Sequence, residues 1–203
     1  MQQPTILRIA IVGSGGVGKS SLTLQFVYSE FIQDYEPTKA NSYRRKMTLD
    51  GVPLQFDILD TAGQEDYRGI RDYFFKISEG FILVFAIDDS ESVNSLATFR
   101  EHILRIKQSD HVPMLIVANK CDLKGCTRNN YISQGKQYAD DWHLDFIETS
   151  AKTYSDAERV NNWSTFLIVF LEIGKKIRES HMASIQYPRK VENYKRRKKC
   201  TIL

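Results

Sequence analysis

The sequence predicts an α/β domain with a mostly parallel sheet and helices on both faces, and three observations lead there. Short, wholly apolar runs alternate with longer stretches whose apolar residues recur at helical spacing. Such runs suit strands buried on both faces, as parallel strands are. A glycine-rich turn stands directly between the first run and the first helical stretch. One Asp50-Gly51 dipeptide between two β-rich segments marks a tight hairpin, so one neighbouring pair is expected to be antiparallel. The expectation is six strands, one of them antiparallel, with about five helices.

Taken in chain order, Thr5–Val12 is the first strand and Lys19–Tyr28 the first helix. Residues 43–49 and 52–59 flank Asp50-Gly51 as the hairpin. Residues 81–87 read as a buried strand, followed by a helix over 91–107 in which Val93, Leu96, Phe99, Ile103 and Ile106 line one face. A strand over 114–118 precedes a helix over 131–141, and 145–149 is a last short strand before a closing helix over 160–178. Residues 180–199 lack periodicity and read as a disordered linker, so the domain is expected over 1–180 and a tail over 181–203. Ligands of such sheets bind at the carboxyl ends of the strands.

The 203 residues, 42% hydrophobic and 26% charged, suffice for one full core plus a short tail. Residues 1–7 show neither a cationic start nor a cleavage site, so no secretory leader is expected. The longest purely apolar run, 166–171, is too short to span a bilayer. Cys121, Cys126 and Cys200 form no disulfide or zinc pattern, which suits a reducing compartment, and the four histidines show no ligand spacing. The net charge of +3 is uneven: Arg189, Lys190, Lys195, Arg196, Arg197, Lys198 and Lys199 against Glu192 give the tail +6, leaving −3 for the 188 residues before it. Basicity confined to a tail favours an anionic membrane surface over a nucleic-acid groove, so no nucleic-acid partner is expected.

Three motifs carry chemistry. Gly13-Ser14-Gly15-Gly16-Val17-Gly18-Lys19-Ser20 fits GxxxxGK[ST] between a strand and a helix. Glycines let successive N–H groups wrap phosphates, the helix N-terminus adds favourable potential, Lys19 is expected to reach the terminal phosphates and Ser20 to ligate Mg²⁺. In Asp57-Ile58-Leu59-Asp60-Thr61-Ala62-Gly63-Gln64, Asp60 can hold a water on Mg²⁺, the Gly63 N–H can meet a γ-phosphate, and Gln64 can orient an attacking water. Asn119-Lys120-Cys121-Asp122 closes the fifth strand and Ser150-Ala151-Lys152 follows the sixth. A carboxylate at Asp122 offers acceptors to the N1–H and N2–H₂ donors of guanine, whereas adenine would face it with a lone pair. Polar pairing of this kind discriminates by ~10⁴ or more.

With these motifs the sequence resembles a Ras-family small GTPase, a P-loop NTPase G domain, over residues 5–180, and most resembles its Ral branch. The resemblance implies that Phe31 stacks on guanine, that Ser150 and Ala151 seat it through backbone contacts, and that Ser21 and Lys152 join the nucleotide-binding set. It implies that Thr38 completes Mg²⁺ coordination when GTP is bound, and that 34–41 and 63–78 are nucleotide-sensitive switches. Tyr35-Glu36-Pro37-Thr38-Lys39-Ala40-Asn41-Ser42-Tyr43 resembles the Ral effector loop, with Lys39 and Ala40 where Ras and Rap proteins carry an apolar residue and an acid. Asn41 stands where Ral proteins usually have Asp, their longer N-terminal extension is missing, Ala118 replaces a common Gly, and 153–159 is about five residues longer than the family pattern. Arg44 and Arg45 read as solvated or effector-facing charge and Cys121 as a buried thiol of no special reactivity.

The implied activity is hydrolysis of GTP to GDP by a monomer that cycles with an exchange factor, an activating protein and GTP-dependent effectors. Lys19 and Gln64 are the expected catalytic groups. A non-cycling GTP-loaded scaffold would tolerate loss of Gln64, Gly15 or Thr38, yet all three stand. A Ras- or Rap-type switch fits the effector loop less well. A small-molecule P-loop kinase would need an acceptor pocket and an Arg-rich lid, and neither is visible. Cys200-Thr201-Ile202-Leu203 is a CaaX sequence whose last Leu favours geranylgeranylation at Cys200, next to Lys195–Lys199 as a second, electrostatic signal. The expected location is the cytoplasmic face of a membrane, the plasma membrane first.

Overall fold

The computed structural model describes residues 4–30, 41–49, 51–61, 68–123, 128–152 and 165–186. The elements are β1 Thr5–Val12, α1 Lys19–Tyr28, β2 Asn41–Leu49, β3 Val52–Asp60, α2 Arg68–Ile77, β4 Gly80–Ala86, α3 Ser90–Lys107, β5 Met114–Asn119, α4 Arg128–Trp142, β6 Asp145–Glu148 and α5 Thr165–Gln186. They form one six-stranded sheet in the order β2-β3-β1-β4-β5-β6. All neighbouring pairs are parallel except β2–β3, whose register pairs Leu49 with Val52, as the two-residue turn predicts.

Side-chain alternation along β1 shows why both faces are covered. Leu7, Ile9 and Ile11 join the layer under α1 and α5, while Ala10 and Val12 join the layer under α3 and α4, and all five are fully buried. The chain winds outward from β1 to β3 and β2 on one side and to β4, β5 and β6 on the other. The carboxyl end of β1 therefore opens at the crevice where winding reverses, the place such sheets offer a ligand.

α3 illustrates how local chemistry sets an end. Asp89 has extended backbone, and its carboxylate accepts from the Glu91 and Ser92 amides at 2.9 and 3.3 Å, while Arg105 and Lys107 stand in the last turn. Lys107 also donates to the carbonyls of Lys76 and Ser78, tying the end of α2 to α3.

Two expectations need correction. Residues 180–186 belong to α5 rather than to a linker. Met182, Ala183 and Ile185 are compatible with helix, and His181 lies 3.0 Å from Glu79, which gives this last stretch a tertiary hold that periodicity alone does not reveal. Arg45 is not a solvated charge: its guanidinium lies 4.8 Å over the Phe26 ring and donates to the Phe26 carbonyl. It thus places a cation at the end of a helix that has no basic residue in its own last turn. Arg44, by contrast, is exposed and paired with Asp57 at 2.8 Å.

Phe26 is the hub of this side of the core. It stacks on Phe170 of α5 at 4.1 Å and meets Phe56 of β3 edge-on at 5.5 Å. Truncation of Phe26 to alanine is expected to cost about 3–5 kcal/mol. Urea unfolding of the full chain checks this, with a lowered midpoint at unchanged slope; a loss under about 1 kcal/mol would show that the three rings do not carry the packing of α1.

Candidate nucleotide site

The glycine loop is shaped by close approach to other elements. Gly13 has φ 149°, and a Cβ there would sit 2.1 Å from the Val84 carbonyl oxygen of β4. Gly18 has φ 93°, and its Cβ would meet the Asn119 side-chain nitrogen at 2.3 Å. Both contacts exclude any larger residue. Val17 turns inward and is fully buried, anchoring the loop in the core. Gly18 is the N-cap of α1 and provides no side-chain acceptor, so the first amides of this helix keep their capacity to bind an anion.

Lys19 is only 6% exposed and donates to the Gly13 and Ser14 carbonyls at 2.9 and 2.7 Å. Burial lowers its pKa to about 8, partly opposed by Asp60. Two of the three ammonium donors are thus committed, and one remains for a ligand. Asp60 ends β3 fully buried, and burial raises its pKa to about 6 against the Ser20 hydroxyl and the Lys19 charge. The Ser20 hydroxyl faces it, yet neither carboxylate oxygen reaches a hydrogen bond of good geometry. A buried, under-satisfied carboxylate beside a hydroxyl suits a hard divalent cation.

On the other side of the crevice Asn119 is 1% exposed and joins two loops. Its amide nitrogen donates to the Val17 carbonyl at 2.8 Å, and its oxygen accepts from the Ala151 amide at 3.1 Å. Gln25 of α1 donates to the Ala151 carbonyl at 2.8 Å, so Ala151 is held through both backbone groups. The Ser150 hydroxyl donates to Asp122 at 2.6 Å and accepts from the Lys152 amide at 3.1 Å. Asp122 keeps acceptor capacity for a donor pair. Lys120 takes φ 65° at the sharp turn after β5, and its ammonium lies 3.2 Å from Asp88. The Cys121 thiol is half-buried and points to the Ala118 carbonyl at 3.4 Å.

The tertiary fold therefore gathers Gly15, Gly16, Val17, Gly18, Lys19, Ser20, Ser21, Asp60, Asn119, Lys120, Asp122, Ser150, Ala151 and Lys152 at the carboxyl ends of β1, β3, β5 and β6. Asn41, Ser42 and Tyr43 lie on β2, with Asn41 paired in register with Asp60. Phe31, Tyr35, Glu36, Pro37, Thr38, Lys39, Ala40, Gly63, Gln64, Cys200 and the longer stretch at 153–159 lie outside the described residues. Sequence reasoning missed Gln25, although a signal was present: it shares the inward face of α1 with Leu22 and Phe26. A hollow of about 530 Å³ lined by Lys107, His111 and His181 opens at the amino ends of β4 and β5, where no nucleotide motif reaches.

A doubly wound sheet with a phosphate-binding loop at its switch point and a polar reader for a base beside it is a P-loop nucleotide-binding domain. Comparison with known proteins narrows this class. Residues 8–171 match the model of the Ras family. The chain is 48% identical over 201 residues to the Ras-related protein Ral-a of Drosophila melanogaster, covering 98% of this chain and 96% of that one. It is 49% identical over 177 residues to Ral-B of Rattus norvegicus and to ralB-A of Xenopus laevis, covering 87% of this chain and 81% of each. The chain belongs to the Ras family. It is a Ral-like small GTPase, a switch that binds GTP and GDP, hydrolyses GTP, and works with regulators and effectors as members of this family do.

Asp122→Asn is expected to lose guanine selectivity and gain affinity for xanthine nucleotides, because an amide donates where the carboxylate only accepts. Competition binding of XTP against GTP checks it; an unchanged preference for GTP would rule out Asp122 as the base reader.

Proposed function

We propose that this chain is a membrane-tethered, Mg²⁺-dependent GTPase whose hydrolysis rests on positioning and electrostatics, with Gln64 orienting the attacking water and Lys19 neutralising phosphate charge. The observation that supports this best is the buried set of Lys19, Asp60 and Asn119 around one crevice, with Lys19 and Asn119 held by hydrogen bonds to the loop's carbonyls. Ser20 and, through water, Asp60 would hold Mg²⁺, joined by Thr38 in the GTP state. When bound, the ion supplies positive charge to the phosphate oxygens.

Arg44 pairs with Asp57 and Arg45 packs on Phe26, so neither of these two is placed to serve the phosphate end in cis. Intrinsic turnover is therefore slow, and an arginine supplied by an activating protein accelerates it by about 10³–10⁵, the range known for such GTPases. The γ-phosphate orders residues 34–41 and 63–78 and so creates the effector surface, with Lys39, Ala40 and Asn41 setting partner choice. Geranylgeranyl at Cys200 and the basic cluster at residues 195–199 together hold the protein at the cytoplasmic face of the plasma membrane. Among the described residues no helix is long and apolar enough to cross a membrane.

Gln64→Leu is expected to keep nucleotide affinity and nearly abolish stimulated hydrolysis, since leucine cannot hold a water. Single-turnover hydrolysis with an activating protein checks this, and wild-type stimulated rates in the variant would remove Gln64 from the mechanism.

The two membrane signals are expected to fail differently. Cys200→Ser leaves the protein unbound to vesicles at any salt near physiological, because buried hydrocarbon contributes ~0.8 kcal/mol per CH₂ and charge alone does not replace it. Neutralising Lys195, Arg196, Arg197, Lys198 and Lys199 leaves weak binding that no longer depends on anionic lipid. Vesicle sedimentation of the prenylated chain tests both; equal affinity of wild type for neutral and anionic vesicles would exclude the cluster as the second signal.

A further inference from the structure

Besides the buried Val17 side chain and the Lys19 contacts, two side-chain hydrogen bonds from other elements fasten the phosphate loop, and only one of them comes from a nucleotide motif. Asn119 grips the Val17 carbonyl from β5. At the loop's other end, the Ser14 and Ser95 hydroxyls lie 2.8 Å apart, joining the loop to α3. Between these fastenings Gly15 and Gly16 are exposed, and a Cβ on either would meet nothing within 4 Å. That middle span has little packing of its own, so the fastenings govern how firmly it stays in place.

The direction of the Ser14–Ser95 bond follows from proton counting. The Ser95 hydroxyl donates to the Ser92 carbonyl at 2.8 Å, which uses its single proton, so Ser14 is the donor to Ser95. Ser92 is in turn welded to the end of β4: its hydroxyl donates to the Asp89 carbonyl at 2.7 Å and accepts from the Ala86 amide at 3.1 Å. The Asp89 cap and the buried Val93, Leu96 and Ile103 hold this first turn of α3 against the sheet. Ser14 thus hangs from a rigid frame, and its own carbonyl is one of the two that accept from Lys19, at 2.7 Å.

We infer that Ser95 is a positioning residue for the phosphate loop: by accepting from Ser14 it holds the loop against α3 and slows nucleotide release. The motif leaves the residue at position 14 open, and nothing in it specifies a hydroxyl at position 95, so this fastening is a property of this chain's own side chains. Neither hydroxyl touches the reacting atoms; Ser95 acts through Ser14 and the Lys19 contact. The inference rests on the reading of residues 13–20 as the nucleotide's phosphate loop.

The test is the release of fluorescent mant-GDP from the full chain, chased with excess GDP, in wild type, Ser95→Ala, Ser14→Ala, the double variant and Ser95→Thr. Loss of one partly buried hydrogen bond is expected to speed release about fivefold. The double variant is expected to release no faster than either single one, because both remove the same bond. Ser95→Thr, which keeps a hydroxyl, is expected to restore a rate near wild type. A merely structural role for Ser95 would show as a lower urea midpoint with additive effects in the double variant, and that outcome overturns the inference. Equal release rates for wild type and Ser95→Ala with tight binding in both also overturn it while leaving the loop assignment standing. Wild type that fails to retain mant-GDP at all would refute the loop assignment, and the inference with it.

Discussion

Asn119 is the side chain on which the geometry of the nucleotide site depends. Its amide bridges the Val17 carbonyl and the Ala151 amide, so one buried group fixes the distance between the glycine loop after β1 and the loop after β6. The bridge works because burial removes water as a competitor: at 1% exposure, a lost partner would leave a polar atom without any replacement. It also accounts for Gly18, since any Cβ at that position would displace the Asn119 nitrogen. Gln25 adds a second hold on Ala151 from α1, so the helix that begins the phosphate site and the loop that ends the base site move together.

Charge in the crevice is arranged for a ligand. Burial pushes Lys19 down to about 8 and Asp60 up to about 6, so each charged form is held at a disadvantage in the protein alone. Their mutual attraction offsets part of that penalty, and a polyanion together with a cation would offset more. The Asp60 carboxylate oxygens, in addition, lack good hydrogen bonds. A site with this electrostatic profile is built around occupants of high charge. That is what phosphoryl transfer requires, since its chemistry consists mainly of holding and neutralising phosphate oxygens.

The edge of the sheet shows a division of labour between neighbouring residues. Arg44 and Arg45 are adjacent in sequence and opposite in role, because side chains on a strand alternate faces. Arg44 points out and pairs with Asp57 across the hairpin, whereas Arg45 turns in to the carbonyl and ring of Phe26. β2 is thereby secured to α1 while Arg44 and Lys46 stay on the solvent side. The charged outer face lies on the edge strand that carries Asn41, Ser42 and Tyr43, the described part of the segment that resembles the Ral effector loop.

The sequence by itself determined the alternation of strands and helices, the antiparallel hairpin and the three nucleotide motifs. Each of these is written in local patterns: period-2 and period-3.6 apolarity, a two-residue turn, and glycines at fixed spacing before a lysine. The start of α3 was legible to within a residue, since its Asp89 cap lies just before the helix, whereas α2 was not placed from sequence and α5 runs eight residues past its expected end. The tertiary structure alone decided the partners of side chains distant in sequence. Gln25 finds Ala151, Ser14 finds Ser95 and Arg45 finds Phe26 because the crossovers bring α1, α3 and β2 to one end or one face of the sheet, and no local period encodes such meetings. The same holds for the last turns of α5, which lack periodicity and read as a linker until Glu79 is seen beside His181. Periodicity reports which face a residue presents; what it meets there depends on the path of the whole chain.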